Sequence, residues 1–304
     1  MTIREALDVS QRSVSFRDAE VLLAAALNVG RAHLHTHPEQ HLNPEEQARY
    51  DTLLARREQN EPVAHIIGYK EFYGRRFKTD ARALIPRPET EGLVECALAW
   101  CVTAFREHTK TTNLPCPLHI AELGTGSGNI AITLALELAA QSIPATIIAG
   151  EISPEALSLA GENWETLSQG TPLGNIQLRF VESDLFAHPV FSKRPFDLLI
   201  ANLPYVEDTW RAHPAAQQDV VFYEPDLALF GGDNDGLGLY RRFFYEAREH
   251  LTPQGVVMIE YGETQTELLK PIIQASFPSS TLTVLPDYAG LDRVLVVRPE
   301  LSLQ

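Results

Sequence analysis

From about residue 118 onward the chain alternates short apolar runs with longer stretches of helical periodicity, and that alternation limits the possible folds most. Leu118–Gly124, Ala145–Ile152, Ile176–Val181, Phe196–Ala201 and Gly255–Tyr261 read as strands. Asn129–Ala140, Pro154 to about Leu167, Leu237–Leu251 and Thr264–Ala275 read as helices. Near-continuous apolar strands are buried on both faces. Their alternation with helices predicts an open α/β sheet, mostly parallel, with helices on both sides. Two final strands, near Thr281–Leu285 and Arg293–Arg298, have no helix between them. Their short connection predicts an antiparallel pair.

The first third of the chain is patterned differently. In residues 1–60, Ala19, Leu22, Leu23, Ala26 and Leu27 recur at helical spacing, and Asn43-Pro44-Glu45-Glu46 supplies a cap and a first-turn proline. This reads as a small helical module. In residues 61–90, Pro62–Tyr69 and Glu71–Lys78 are short β-prone runs broken by glycine, which predicts a hairpin-like connector. Pro86-Arg87-Pro88-Glu89-Thr90-Glu91 ends the connector and opens a helix whose inner face is Leu93, Val94, Ala97, Leu98, Cys101 and Phe105. Residues 91–304 then form the α/β domain.

Composition excludes several classes of protein. Lys and Arg number 25 against 40 Asp and Glu, a net charge of −15, which opposes a long nucleic-acid groove. No stable nucleic-acid partner is expected. The three cysteines, Cys96, Cys101 and Cys116, form no metal or redox pattern and fit a reducing, cytoplasmic setting. The start carries acids and no apolar h-region, so no signal peptide is expected. No run approaches the ~18 apolar residues of a membrane span, so no membrane partner is expected. His33, His35, His37 and His41 cluster before Pro44. Without a Cys or carboxylate set to complete a tetrahedral site, they read as a polar loop rather than a metal centre. Arg75, Arg76, Lys78, Arg82 and Arg87 concentrate positive charge in the connector, either as a solvated face or as a contact for an acidic partner surface.

Three strand ends carry chemistry. Glu122-Leu123-Gly124-Thr125-Gly126-Ser127-Gly128 follows the first strand and opens a helix. Glycines there let the backbone turn sharply and approach a ligand. The loop also satisfies G-x-G-x-x-A, so it indicates a nucleotide-like cofactor without saying which. Glu151 ends the second strand, where an acid can bind both ribose hydroxyls or simply flank the Ser153 helix cap. Asp184, with Leu185, ends the third strand and can face an adenine ring or be an ordinary loop acid. Asn202-Leu203-Pro204-Tyr205 ends the fourth. Asn202 offers an amide oxygen, and Pro204 holds Leu203 extended. The Leu203 carbonyl then becomes a second acceptor beside a flat Tyr205 ring. Two acceptors can grip both N–H groups of a carboxamide or an amino-purine. The competing reading is a plain strand-ending turn, since Asn and Pro are turn formers.

Together these residues resemble class I S-adenosylmethionine-dependent methyltransferases of the Asn-Pro-Pro-Tyr type, which methylate planar nitrogens. Gly68–Gly74, Leu84–Glu91, Tyr223–Gly232 and Ala289–Val294 resemble the connector and later blocks of the peptide chain release factor N5-glutamine methyltransferases (HemK/PrmC type). The resemblance covers nearly the whole chain and is weakest in residues 1–60. It implies a Rossmann-like, mostly parallel seven-stranded sheet with an antiparallel C-terminal strand. It also implies a helical N-terminal module that docks the substrate. The implied cofactor is S-adenosyl-L-methionine, held by Gly124, Thr125, Gly126, Ser127, Gly128, Glu151, Asp184, Leu185 and Asn202. The implied catalytic set is Asn202, Leu203, Pro204 and Tyr205. The implied partner is a peptide chain release factor, methylated on the glutamine of its Gly-Gly-Gln loop by a monomeric enzyme. The rivals are a ribosomal-protein glutamine methyltransferase, a base methyltransferase, a cofactor-binding scaffold and, from the glycine loop alone, a nicotinamide dehydrogenase. The family has proline where Leu203 stands. A backbone acceptor survives that change, while the fixed φ of proline is lost. The expectation is a less rigid loop with activity retained.

Overall fold

The computed structural model describes residues 1–112, 116–212 and 218–300. Its N-terminal module is α1 (Ile3–Ser10), α2 (Phe16–Leu27), α3 (Arg31–Thr36) and α4 (Pro44–Glu58). Thr2 and Asn43 each close a reciprocal capping box with a glutamate three residues on, which satisfies otherwise orphaned N–H groups. Ile3, Ala19, Leu22, Leu23, Leu34 and Tyr50 fill the module's own core.

The connector departs from expectation in its first half. Pro62–Tyr69 is mostly the short helix α5 (Val63–Ile67) rather than a strand. Pro62 sits at its N-cap, and Ile66 is buried in the N-terminal core. Tertiary burial of the branched side chains overrides their β preference. The hairpin is β1 (Tyr69–Phe72) paired antiparallel with β2 (Arg75–Lys78). Helix α6 (Thr90–Thr112) follows.

The α/β domain then runs β3 (Leu118–Leu123), α7 (Asn129–Ala140), β4 (Ala145–Glu151), α8 (Pro154–Ser168), β5 (Ile176–Glu182) and β6 (Phe196–Ala201). A 3-10 turn (Asp208–Ala212) leads to α9 (Gln218–Tyr223) and α10 (Asp226–Leu229), two short helices the sequence pattern did not announce. The chain closes with α11 (Gly238–Ala247), β7 (Leu251–Glu260), α12 (Thr266–Ser276), β8 (Ser280–Pro286) and β9 (Asp292–Pro299). Strand β7 starts earlier than Gly255 because Phe196 pairs with Leu251 while Leu198 pairs with Val256, and the irregularity between them absorbs Pro253.

The seven strands are ordered β5-β4-β3-β6-β7-β9-β8. Neighbours from β5 through β7 are parallel, and β9 runs antiparallel to both β7 and β8. Residues of α6, α7 and α8 pack on one face of the sheet, and α11 and α12 on the other. The order reverses at β3, so a crevice opens at the carboxyl ends of β3 and β6. Open α/β sheets bind ligands there. Among the described residues no helix is long and apolar enough to cross a membrane.

Candidate active site

A cavity of about 270 Å³ lies in that crevice. Its floor is the loop from Glu122 to Ser127, its flank is Glu151 with Ser183, Asp184 and Leu185, and Asn202, Leu203 and Pro204 line it beside Gly124. Four separated sequence segments therefore meet at one place. Gly128 and Tyr205 lie off the cavity lining. Gly128 caps α7 at φ +81°, and a Cβ there would sit 2.8 Å from Ile132 Cδ1 and 3.1 Å from Ala160 Cβ. Its freedom lets α7 pack closely on α8.

The cavity floor is acidic. Glu122 is fully buried; its Oε2 accepts from Thr125 Oγ1 (2.7 Å) and Ala131 N (3.0 Å), while Oε1 has no partner. Burial pushes its carboxyl up to about 7, and Glu151 nearby adds to that rise. Glu151 accepts from Gly126 N (2.9 Å), Ile152 N (2.9 Å) and Ser153 N (3.0 Å). A carboxylate has about four acceptor sites, so gripping two ribose hydroxyls requires one of these bonds to yield. At the β5 end, Leu185 is buried at φ +47°. Ser183 Oγ fixes this corner by donating to Leu185 O and accepting from His188 N. Asp184 pairs with Arg242 Nη2 at 2.9 Å, and both line the cavity.

At the end of β6 the Asn202 Nδ2 donates to Thr90 Oγ1 (3.2 Å). Asn202 Oδ1 and the Leu203 carbonyl have no partner among the described residues. The Tyr205 carbonyl, by contrast, accepts from Gln265 Nε2 (2.9 Å). The Tyr205 hydroxyl turns inward toward Glu260 Oε1 (3.4 Å), and burial raises its pKa.

Leu203 is tied down by contacts a proline would lack. Its N–H donates to the Tyr240 hydroxyl (3.2 Å), which itself donates to the Glu260 carbonyl. Its Cδ2 lies 2.9 Å from where a Cβ on Gly124 would stand. These contacts offset the lost φ restraint. Leu203→Pro is therefore expected to change kcat on a release factor by less than about tenfold, since one net hydrogen bond is exchanged for backbone stiffness. Steady-state kinetics checks this; a dead parent with an active variant would contradict it.

The connector is pinned to the cavity mouth. Buried Glu224 accepts from Ile85 N (2.9 Å) and pairs with Arg87. This draws the Leu84–Glu91 block against Pro225, Leu227 and Ala228 at the cavity rim. Three more of the connector cations reach the α/β domain, Arg75 to Glu137 and both Lys78 and Arg82 to Glu162, while Arg82 also pairs with Asp80 and Arg76 with Glu71 inside the hairpin. The concentrated charge therefore braces the connector against α7 and α8. In the histidine cluster, His33 bonds Gln40 and stacks on His37, while His35 pairs with Glu20. Among the described residues no group of three or more His, Cys, Asp and Glu could hold a metal.

Sequence reasoning passed over Thr90, Glu122, Tyr240, Arg242 and Glu260. Glu122 and Glu260 had a readable signal, an acid at or one residue before the end of a buried apolar strand, much like the signal that singled out Glu151. Tyr240 and Arg242 had none, because they sit within an ordinary amphipathic helix.

The cavity fits S-adenosylmethionine by its donor set. A buried acid with an orphaned oxygen, a second acid and a close-approach loop suit a ligand carrying cationic groups and a ribose. Comparisons with known proteins point the same way. A family model described as the PrmC N-terminal domain matches residues 3–68, and one described as a methyltransferase domain matches residues 118–285. A release factor glutamine methyltransferase of Koribacter versatilis is 35% identical, covering 99% of this chain and 100% of that protein. One from Cereibacter sphaeroides is 38% identical, covering 93% and 90%. The solved hMettl16 catalytic domain, in complex with MAT2A 3'UTR hairpin 1, superimposes with a TM-score of 0.51 at 14% identity. It covers 89% of this chain and 85% of that one, which is a likeness of fold alone.

Proposed function

Because the chain belongs to the release factor glutamine methyltransferase family, we infer that it methylates the side-chain amide N5 of the glutamine in the Gly-Gly-Gln loop of peptide chain release factors. The methyl donor is S-adenosylmethionine. The observation that carries the reading for this molecule is the pair of free acceptors, Asn202 Oδ1 and the Leu203 carbonyl, on residues that line the cavity beside the glycine loop.

Bound there, S-adenosylmethionine supplies an electrophilic methyl group on a sulfonium centre. Gly124 to Ser127 and Glu122 hold its charged end, Glu151 its ribose, and the Asp184–Leu185 corner its adenine. Asn202 and Leu203 accept the two N–H groups of the glutamine amide and aim its nitrogen. An amide nitrogen is a poor nucleophile because its lone pair is delocalised. Fixing it at one angle, out of conjugation with its carbonyl, is catalysis by positioning. The chain offers no His or Lys at the tetrapeptide to act as a base, and none is needed before transfer. The proton leaves from the methylated nitrogen afterwards. Residues 1–60 serve as a docking module for the release factor, with the connector joining them to the site. The bond from the Tyr223 hydroxyl to Gln59 O (2.8 Å) supports this, since it links the cavity rim to that module.

The test is mass spectrometry of a release factor incubated with the protein and methyl donor. One added methyl on the loop glutamine is expected, and none on a release factor whose loop glutamine is replaced. Methylation of a ribosomal protein or of nucleic acid, with the release factor untouched, would overturn the reading.

A further inference from the structure

Behind the tetrapeptide lies a buried carboxylate that the reaction as described does not use. Glu260 ends β7 and is 1% exposed. Its Oε1 accepts from the Tyr205 hydroxyl (3.4 Å), and its Oε2 has no partner in hydrogen-bonding geometry. Six residues face it from four directions: Asn202 and Tyr205 on the tetrapeptide, Thr90 and Glu89 at the start of α6, Tyr240 on α11 and Arg293 on β9. Thr90 is itself 1% exposed and accepts the Asn202 amide N–H.

The Asn202 amide poses an orientation problem. Its two ends are nearly the same size, and turning it by half a revolution would present NH₂ to the substrate's NH₂ in place of the oxygen. Two donors would then face each other and the substrate amide would be repelled. Thr90 alone cannot decide the orientation, because a hydroxyl donates or accepts equally well. A carboxylate only accepts. Glu260 makes no hydrogen bond to Thr90 here, but the charge of its unpartnered Oε2 favours the Thr90 rotamer whose proton points at the carboxylate and whose lone pair meets Asn202 Nδ2. Asn202 Oδ1 is then turned toward the cavity.

We propose that Glu260 is a positioning residue which, through Thr90, fixes the Asn202 side chain with its oxygen toward the substrate amide. This rests on the reading of Asn202 as the acceptor for that amide. Burial pushes the Glu260 carboxyl up to about 7, while Thr90, Arg293 and Asn202 pull it down and Glu89 adds to the rise. A neutral Glu260 can donate, and the bias on Thr90 is lost. Activity should therefore rise as pH rises through neutrality.

The experiment measures kcat on a release factor, the dissociation constant for S-adenosylmethionine, melting temperature and pH profile for Glu260→Gln, Thr90→Val and Thr90→Ser, with Asn202→Ala alongside. Glu260→Gln and Thr90→Val are expected to lower kcat about 100-fold, the scale of a misplaced reacting group, with donor affinity and melting temperature near the parent's. Thr90→Ser should restore most of the rate. Glu260→Gln should lack the parent's rise in rate near neutral pH, and should add nothing in the Asn202→Ala background. If Asn202→Ala is inactive while Glu260→Gln keeps the parent's rate and pH profile, the proposal fails and the site reading stands. If Asn202→Ala is active, both fail. If donor affinity and melting temperature fall in step with kcat in both Glu260→Gln and Thr90→Val, the role is structural and the proposal is overturned.

Discussion

Asn202→Ala is expected to lower kcat/KM on a release factor by about 1000-fold, a loss of about 4 kcal/mol of transition-state stabilisation. Binding of S-adenosylmethionine should stay near the parent's. The asymmetry follows from where Asn202 sits. The proposed donor contacts are the glycine loop, Glu122, Glu151 and the Asp184–Leu185 corner, whereas the Asn202 side chain is tied to Thr90 at the start of α6. Removing its side chain leaves the Leu203 carbonyl as a single acceptor for the substrate amide. One bond cannot hold a planar group against rotation, so the nitrogen samples many angles and few of them are productive. Folding should be little affected. Strand β6 is held by its ladders to β3 and β7 up to Ala201, and the lost side-chain bond is the one to Thr90. Stopped-time assays with calorimetric titration of the donor separate the two effects. Turnover at the parent's rate would remove Asn202 from the mechanism.

The part of the cavity lining that lies at strand ends was legible. Buried parallel strands are apolar runs, so the polar residue that stops the run is conspicuous, as Glu151, Asp184 and Asn202 were. The same logic would have found Glu122 and Glu260, which were read as part of a loop and of a strand. The connector was half legible. Its hairpin has alternating residues and a glycine break, but the short helix before it is made of branched residues. Those residues become helical only because the N-terminal core takes up Ile66. What the sequence could not show is which long-range pairs close the cavity: Glu224 with Arg87 and Arg242 with Asp184 join segments far apart in the chain. The connector charges read as a solvated face or, more weakly, as a contact surface, and only the partners of Arg75, Lys78 and Arg82 on α7 and α8 show that they brace the molecule.

Gly231→Ala should do comparable damage by a different route. The Tyr223–Gly232 block stood out only as a family-like motif, and its contacts explain why glycine is needed there. A Cβ on Gly231 would lie 1.8 Å from the Gly236 carbonyl oxygen and 2.4 Å from the Pro204 carbonyl oxygen. Both are backbone atoms, so no side chain can swing aside. Gly231 is also fastened to the segment it touches: its N–H donates to Val206 O (3.1 Å), and Val206 N donates to Leu229 O (2.9 Å). Gly236 presses on the same segment, with a would-be Cβ 2.3 Å from the Tyr205 carbonyl oxygen. The backbone of Pro204-Tyr205-Val206 is therefore clamped against two glycines, and any atom added to either must displace it. Overpacking of this kind costs about 3 kcal/mol, and the shift at Pro204 moves the neighbouring acceptors by roughly the amount that costs 100-fold in rate. The expected result is a melting temperature lower by about 5–10 °C, together with a loss of at least about 100-fold in kcat. Gly232→Ala is the control. It carries a positive φ of +74° but has nothing within 4 Å of its Cβ position, so it should show only the backbone penalty of about 1–2 kcal/mol and keep its rate. If Gly231→Ala and Gly232→Ala lose rate equally, the block matters through loop strain and the clamp on the tetrapeptide is wrong.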